Sequence, residues 1–255
     1  MNRDILINII NDTIDKCENE YSWMIEDGIN IFYNDKFFTE DRFIKRFTTS
    51  ANIKVVQKTT VEAIIQNKKK IYGVLNFASA KNPGGGVLKG TVAQEEALAR
   101  VSSLYPMIKQ CTQFYTPTQA PYYTDKIIYT KPVYVFKNDY GNDIDPIECE
   151  VITCAAPNYN MYSLFDDPHR GGQINMEEHK KIMTRRFTKV LKSAIANNQR
   201  NLILGAWGCG VFKNPPEINA QIFREVLDNF SSSFDDIIFA IPDDKHYQIF
   251  QKNLL

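Results

Sequence analysis

The sequence predicts an α/β sandwich on a mixed, largely parallel sheet, preceded by a helical N-terminal extension. Three observations predict it. Short apolar, strand-like runs alternate with helical segments from residue 52 onward, two of those runs stop at glycine-rich loops, and residues 1–50 place apolar residues near helical spacing. At 255 residues and 44% hydrophobic content, the chain can bury one substantial core.

Taken in order, Ile5, Ile9, Ile10 and Ile14 mark the helical texture of the first segment. Ile53–Val56 reads as a strand, Thr60–Gln66 as a helix that ends in the solvated run Lys68-Lys69-Lys70, and Ile71–Phe77 as an apolar strand. The loop Asn82-Pro83-Gly84-Gly85-Gly86 follows it. Thr91 then offers an N-cap with Gln94 three residues on as its capping-box partner, for a helix burying Ala97, Leu98, Val101, Leu104 and Tyr105. Further strands are expected at Lys126–Thr130, Val133–Phe136 and Cys149–Cys154. Residues 155–174 carry no element; a loop this long is either functional or a solvated excursion, and both readings stay open. Asn175 can cap a helix through Asn197, with Glu178 as box partner and a stripe from Ile182 to Ile195. After strand Leu202–Leu204, Asn214-Pro215 reads as an N-cap and first helical residue for a helix through Phe230, and Ile237–Ile241 is the last strand. The expected division is a helical extension, 1–50, and one compact unit, 51–255.

Composition narrows the function classes. Thirty basic and thirty acidic residues balance, so bulk attraction to a polyanion is not available and direct nucleic-acid binding is not expected. No run of 18 apolar residues predicts a membrane span. The first residues lack the pattern of a signal peptide, and five cysteines without paired spacing argue against a disulfide framework, so a reducing cytoplasm is expected, with nuclear access left open. His169, His179 and His246 are scattered without metal-ligand spacing, and neither glycine loop ends as a Walker loop does.

Chemistry concentrates at two places. Gly84-Gly85-Gly86 lets the backbone adopt positive φ and approach a ligand, and Gln94-Glu95-Glu96 follows at a helix start. Glu95 and Glu96 lie about 100° apart on the helix, so they have different surroundings. A helix N-terminus favours ionised carboxylates, which opposes general-acid work; burial or a neighbouring negative charge would restore it. Standing alone, the carboxylates would simply suit the positive helix end; behind a triple glycine they point to catalysis. The second place, Gly205-Ala206-Trp207-Gly208-Cys209-Gly210-Val211-Phe212, leaves a strand and enters a helix, where successive amides can nest an anion. Tight packing is the competing reading for these glycines, and a core aromatic for Phe212. Cys209 has no adjacent histidine to activate it as a nucleophile.

Gly84-Gly85-Gly86, its spacer and Gln94-Glu95-Glu96 resemble the signature of poly(ADP-ribose) glycohydrolases (PARGs). The string Val74–Gly86 looks like the bacterial-type branch, and Gly205–Phe212 is similar to the phosphate loop of the wider macrodomain family. The resemblance runs from about residue 35 to the C-terminus. It implies a macrodomain-like three-layer α/β/α fold and a monomer that cleaves ribose–ribose O-glycosidic bonds of poly(ADP-ribose) chains or ADP-ribosylated proteins, without metal or organic cofactor. By the same resemblance Glu95 and Glu96 are catalytic, Glu95 holding the reacting ribose and Glu96 serving as acid and then base. Asn82, Gly84, Gly85, Gly86, Gln94, Gly208, Cys209, Gly210, Val211 and Phe212 contact substrate. Lys213 stands where relatives often carry glycine. A non-hydrolytic ADP-ribose reader and a mono-ADP-ribosyl hydrolase remain the alternatives.

Overall fold

The computed structural model describes residues 1–38, 50–115, 122–159 and 176–255. Among these, strands β1 (Ile29–Tyr33), β2 (Asn52–Val56), β3 (Gly73–Phe77), β4 (Ile127–Lys137), β5 (Asp143–Cys154), β6 (Asn201–Leu204) and β7 (Asp236–Ala240) form one sheet. Its spatial order is β1-β4-β5-β3-β6-β7-β2. The five strands from β5 to β2 are parallel, and β4 and β1 add an antiparallel edge. The helices are α1 (Arg3–Asn19), α2 (Ser22–Glu26), α3 (Thr60–Gln66), α4 (Gln94–Arg100), α5 (Leu104–Ile108), α6 (Met176–Ala196), α7 (Pro216–Phe230) and α8 (Asp244–Leu254).

The two-residue period of the strands builds the three layers. Leu75, Ile152, Leu202, Leu204, Ile237 and Phe239 point into one core, which α6, α7 and α8 close with Phe187, Phe223 and Phe250. Val74, Val151, Ile203 and Ile238 point into the other, against α3, α4 and α5. Central strands that are apolar on both faces are what a covered parallel sheet requires.

Several expectations change in detail. Among the described residues the first segment is helical through Glu26, but Ile29–Tyr33 is a strand, paired residue for residue with β4. The two strands expected around Pro132 are one, β4, with a register shift between Thr130 and Val133 where Pro132 brings no amide hydrogen. The helix after the glycine loop breaks in two because the Val101 carbonyl turns to the amides of Phe136 and Lys137. Ser102 bridges the break, its hydroxyl donating to Leu98 O (2.6 Å) and accepting from Leu104 N (3.3 Å). The C-terminal α8, capped by Asp243 accepting from His246 N, was not anticipated. Asn175 and most of the 155–174 loop lie outside the described residues.

Phe223 is fully buried, its ring stacked on Phe187 at 4.2 Å. Phe223→Ala is expected to cost about 3–5 kcal/mol, read from urea unfolding midpoints. A loss below about 1 kcal/mol would show that these rings do not anchor the layer.

Candidate active site

Both glycine loops open at the C-terminal ends of neighbouring parallel strands, the first after β3 and the second after β6. This is where an α/β sheet leaves a crevice. The first loop closes on itself: Gly85 N donates to Asn82 O (3.0 Å) and Val87 N to Gly84 O (3.1 Å). Gly84 and Gly85 sit at φ +66° and +60°, the left-handed region that a side chain resists.

What this loop encloses is the carboxyl pair. Ser79 N donates to Glu95 Oε2 (2.6 Å) and Asn76 Nδ2 to Glu95 Oε1 (3.4 Å), while Gly86 N donates to Glu96 Oε1 (2.9 Å). A Cβ on Gly85 would collide with Glu96 Oε1 and lie 3.0 Å from Glu95 Oε2. Both side chains are buried. Burial pushes the Glu95 carboxyl up to about 8; the amide of Ser79 opposes this, the Glu96 charge adds to it, and Asn76 and the Gly84 amide oppose it. The two surroundings differ, as the wheel requires: Glu95 is clamped through both oxygens, whereas Glu96 commits only Oε1. Arg100, one turn after Glu96, is buried and feels both Glu96 and Asp139; its Nη1 donates to Thr91 O (3.1 Å).

The capping box at Thr91 does not form. Ala93 is the N-cap, and the Gln94 side chain instead clamps the end of β3. Its Oε1 accepts from Phe77 N (2.9 Å), and its Nε2 donates to Leu75 O (2.9 Å) and Thr60 Oγ1 (3.2 Å). Gln94 thus fixes where α4 starts relative to the sheet, and with it the position of both glutamates.

The second loop leaves amides open. Cys209 N and Lys213 N are used internally, but the amides of Gly208, Gly210, Val211 and Phe212 have no partner among the described residues. Such a set of unpaired donors can nest an anion, reinforced by the start of α7. Gly208 sits at φ +82°, with no room for a Cβ beside Ala156 and Asn214. Lys213 also has positive φ, +56°, so this chain holds a lysine in the conformation that glycine adopts freely. Asn214 is not a cap; Pro215 is the N-cap, and Asn214 is buried with Nδ2 donating to Pro157 O and Gly208 O (both 2.8 Å). Asn214 therefore holds the loop from behind.

A cavity of about 710 Å³ lies against this loop, a volume in the range of small-molecule sites. Gln94, Gly208, Gly210, Val211 and Phe212 line it, together with Phe77, Val61, Ile241, Arg100 and Asp139. Asn82 and Gly84–Gly86 of the first loop and Glu95 and Glu96 of α4 do not, and Asn82 is exposed. Cys209 faces inward, its thiol donating to Trp207 O (3.8 Å) and pushed up by burial to about 12, which leaves no nucleophile there. Among the described residues no group of three His, Cys, Asp or Glu side chains gathers as a metal site would need. The sequence reading missed Asn76, Ser79, Arg100 and Asp139. Asn76 alone left a signal, as the polar residue inside an otherwise apolar strand.

The microbial-type PARG catalytic domain matches residues 9–138 of this chain. The poly(ADP-ribose) glycohydrolase of Thermomonospora curvata superposes with a TM-score of 0.85 at 28% identity, over 97% of this chain and 98% of its own. That of Deinococcus radiodurans, solved with ADP-ribose, superposes with a TM-score of 0.80 at 30% identity, over 92% of this chain and 97% of its own. The chain belongs to the microbial-type PARG family. A structure of the Thermomonospora enzyme bound to the inhibitor ADP-HPD matches equally well, with a TM-score of 0.84 at 29% identity, over 97% of this chain and 98% of its own. No curated protein matches the chain. The macrodomain-like α/β architecture with helices on both faces of a mixed sheet is thus the fold of the family. Among the described residues no helix is long and apolar enough to cross a membrane.

Gly85→Ala tests the enclosure. A displaced carboxyl pair is expected to lower kcat by about 10²-fold, the cost of an ångström-scale misplacement, with a smaller change in ADP-ribose affinity. Turnover close to that of the unaltered chain would show that the loop does not set the glutamates.

Proposed function

We propose that the chain hydrolyses the ribose–ribose O-glycosidic bonds of poly(ADP-ribose) and releases ADP-ribose. The observation that carries this is a pinned, adjacent carboxyl pair beside a cavity with a nest of open amides. Family membership, and the ADP-ribose and ADP-HPD complexes of the two relatives, support it.

In this reading the diphosphate lies on the amides of Gly208, Gly210, Val211 and Phe212, and the Phe212 ring presses on a ribose face. The first loop acts chiefly through the carboxyls it holds, since its Gly85 and Gly86 amides are already spent. Glu95, protonated at neutral pH, donates to a hydroxyl of the reacting ribose and fixes the anomeric carbon. Glu96 enters this step carrying a proton on its uncommitted Oε2 and gives it to the leaving oxygen as the C–O bond breaks and positive charge spreads over the ring. The same carboxylate then removes a proton from the water that attacks this carbon. Proton transfer and anion binding are both assigned to protein groups, so we propose that no metal takes part.

We also propose a monomer acting in a reducing cytoplasm, which suits five free, buried cysteines. For chain division, we propose a helical extension, 1–50, on a catalytic unit, 51–255, with β1 of the extension completing the sheet edge.

A non-hydrolytic reader would use the nest equally well but has no need of two carboxyls held at a helix start. Glu96→Gln is expected to slow ADP-ribose release by about 10²–10⁴-fold while ADP-ribose affinity is kept, measured by product analysis on defined polymer and by calorimetry. Near-normal turnover would remove Glu96 from the mechanism. Release from mono- but not poly-ADP-ribosylated substrate would shift the reading to a mono-ADP-ribosyl hydrolase. Initial rates after exhaustive chelation are expected to equal those with added magnesium; a collapse that magnesium reverses would contradict the metal-free mechanism.

A further inference from the structure

The amides of Gly208, Gly210, Val211 and Phe212 lack partners among the described residues, and the carbonyl that shares a peptide with the first of them, that of Trp207, is held by a buried side chain. Asn219, fully buried one turn into α7, donates Nδ2 to Trp207 O (2.9 Å) and lies 3.6 Å from Cys209 Sγ. The C=O and N–H of a trans peptide point in opposite directions, so fixing Trp207 O behind the loop aims Gly208 N–H to the front. Asn214 holds the next carbonyl, that of Gly208, but the amide of that peptide, Cys209 N, is spent on Ala206 O (3.1 Å).

Position 219 is an unusual place for an amide. Its neighbours on α7, Ala220, Ile222 and Phe223, belong to the apolar core. Among the described residues Asn219 Oδ1 and both ring nitrogens of His179, fully buried on α6, lack a well-formed hydrogen bond; the Asn219 amide does bear on the His179 ring, opposing the lowering of its pKa by burial. Burying polar atoms this weakly paired is unfavourable, and a leucine of similar size would avoid it at position 219.

We propose that Asn219 is a positioning residue for the diphosphate subsite, acting through the Trp207 carbonyl to hold Gly208 N–H toward the bound ligand. The inference rests on the second loop being that subsite, as argued above.

The test compares the full chain with Asn219→Leu, which keeps the volume but loses the donor, and with the smaller Asn219→Ala, which also loses it, should the first fold poorly. ADP-ribose and adenosine binding are measured by calorimetry, folding by circular dichroism, and kcat and KM on poly(ADP-ribose). In the folded variants ADP-ribose affinity is expected to fall about tenfold and KM to rise in step, with kcat within about threefold. Adenosine, which lacks the diphosphate, should bind as before. A folded variant that binds ADP-ribose normally, or loses adenosine equally, overturns the positioning role while leaving the proposed activity intact. An unaltered chain that binds no ADP-ribose fails differently, removing the subsite and the inference together.

Discussion

The site depends on one contact, the closure of a glycine loop over two adjacent glutamate carboxyls. Ser79 and Gly86 donate backbone hydrogens to Glu95 and Glu96 from either side of the loop, and the approach is open only because Gly85 carries no Cβ. A triple glycine is costly in the conformational freedom lost on folding. Here it lets main-chain donors reach buried acids that would otherwise be unpaired, which would be far less favourable.

That closure divides the labour between two identical side chains. Glu95 is the more firmly held, by Ser79 and Asn76, yet burial, aided by its neighbour's charge, pushes its carboxyl up to about 8. Glu96 has an oxygen to spare and a buried arginine one turn away. The pair thus differs in how it is held, one carboxyl fixed through both oxygens and the other with an oxygen left for chemistry. The second loop contributes what the first has already spent, a row of unpaired amides at the start of α7. The sheet brings the two loops together because β3 and β6 are hydrogen-bonded neighbours.

The layered fold was legible because strand periodicity is a local property. Leu75 and Val74, or Leu204 and Ile203, face opposite cores by alternation alone, and short apolar runs alternating with helical segments announced a layered sheet. Both glycine loops and the carboxyl pair were legible for a similar reason, since positive φ and adjacent acids leave their mark in a few consecutive residues. The errors arose where a side chain serves a distant partner. Gln94 and Asn214 have the right identities for helix caps, but Gln94 is claimed by the end of β3 and Asn214 by Pro157 and Gly208. Strand β1 takes its place from β4, about a hundred residues later, and nothing local marks it. Asp139 reaches the cavity on the turn between β4 and β5, where it accepts from Thr59 Oγ1 (2.6 Å). Its role depends on how that strand pair folds over, which spacing does not encode.

The protonation of Glu95 is the claim on which the division of roles turns. Titration of the glutamate side-chain carboxyls by carbon-13 NMR, with Glu95→Gln to assign the signal, measures it directly. The account expects the Glu95 resonance to shift with a midpoint near 8, and that midpoint to fall in Glu96→Gln, where the neighbouring charge is gone. A Glu95 that titrates near the ordinary glutamate value, about 4.3, and does not respond to the loss of Glu96 would contradict it.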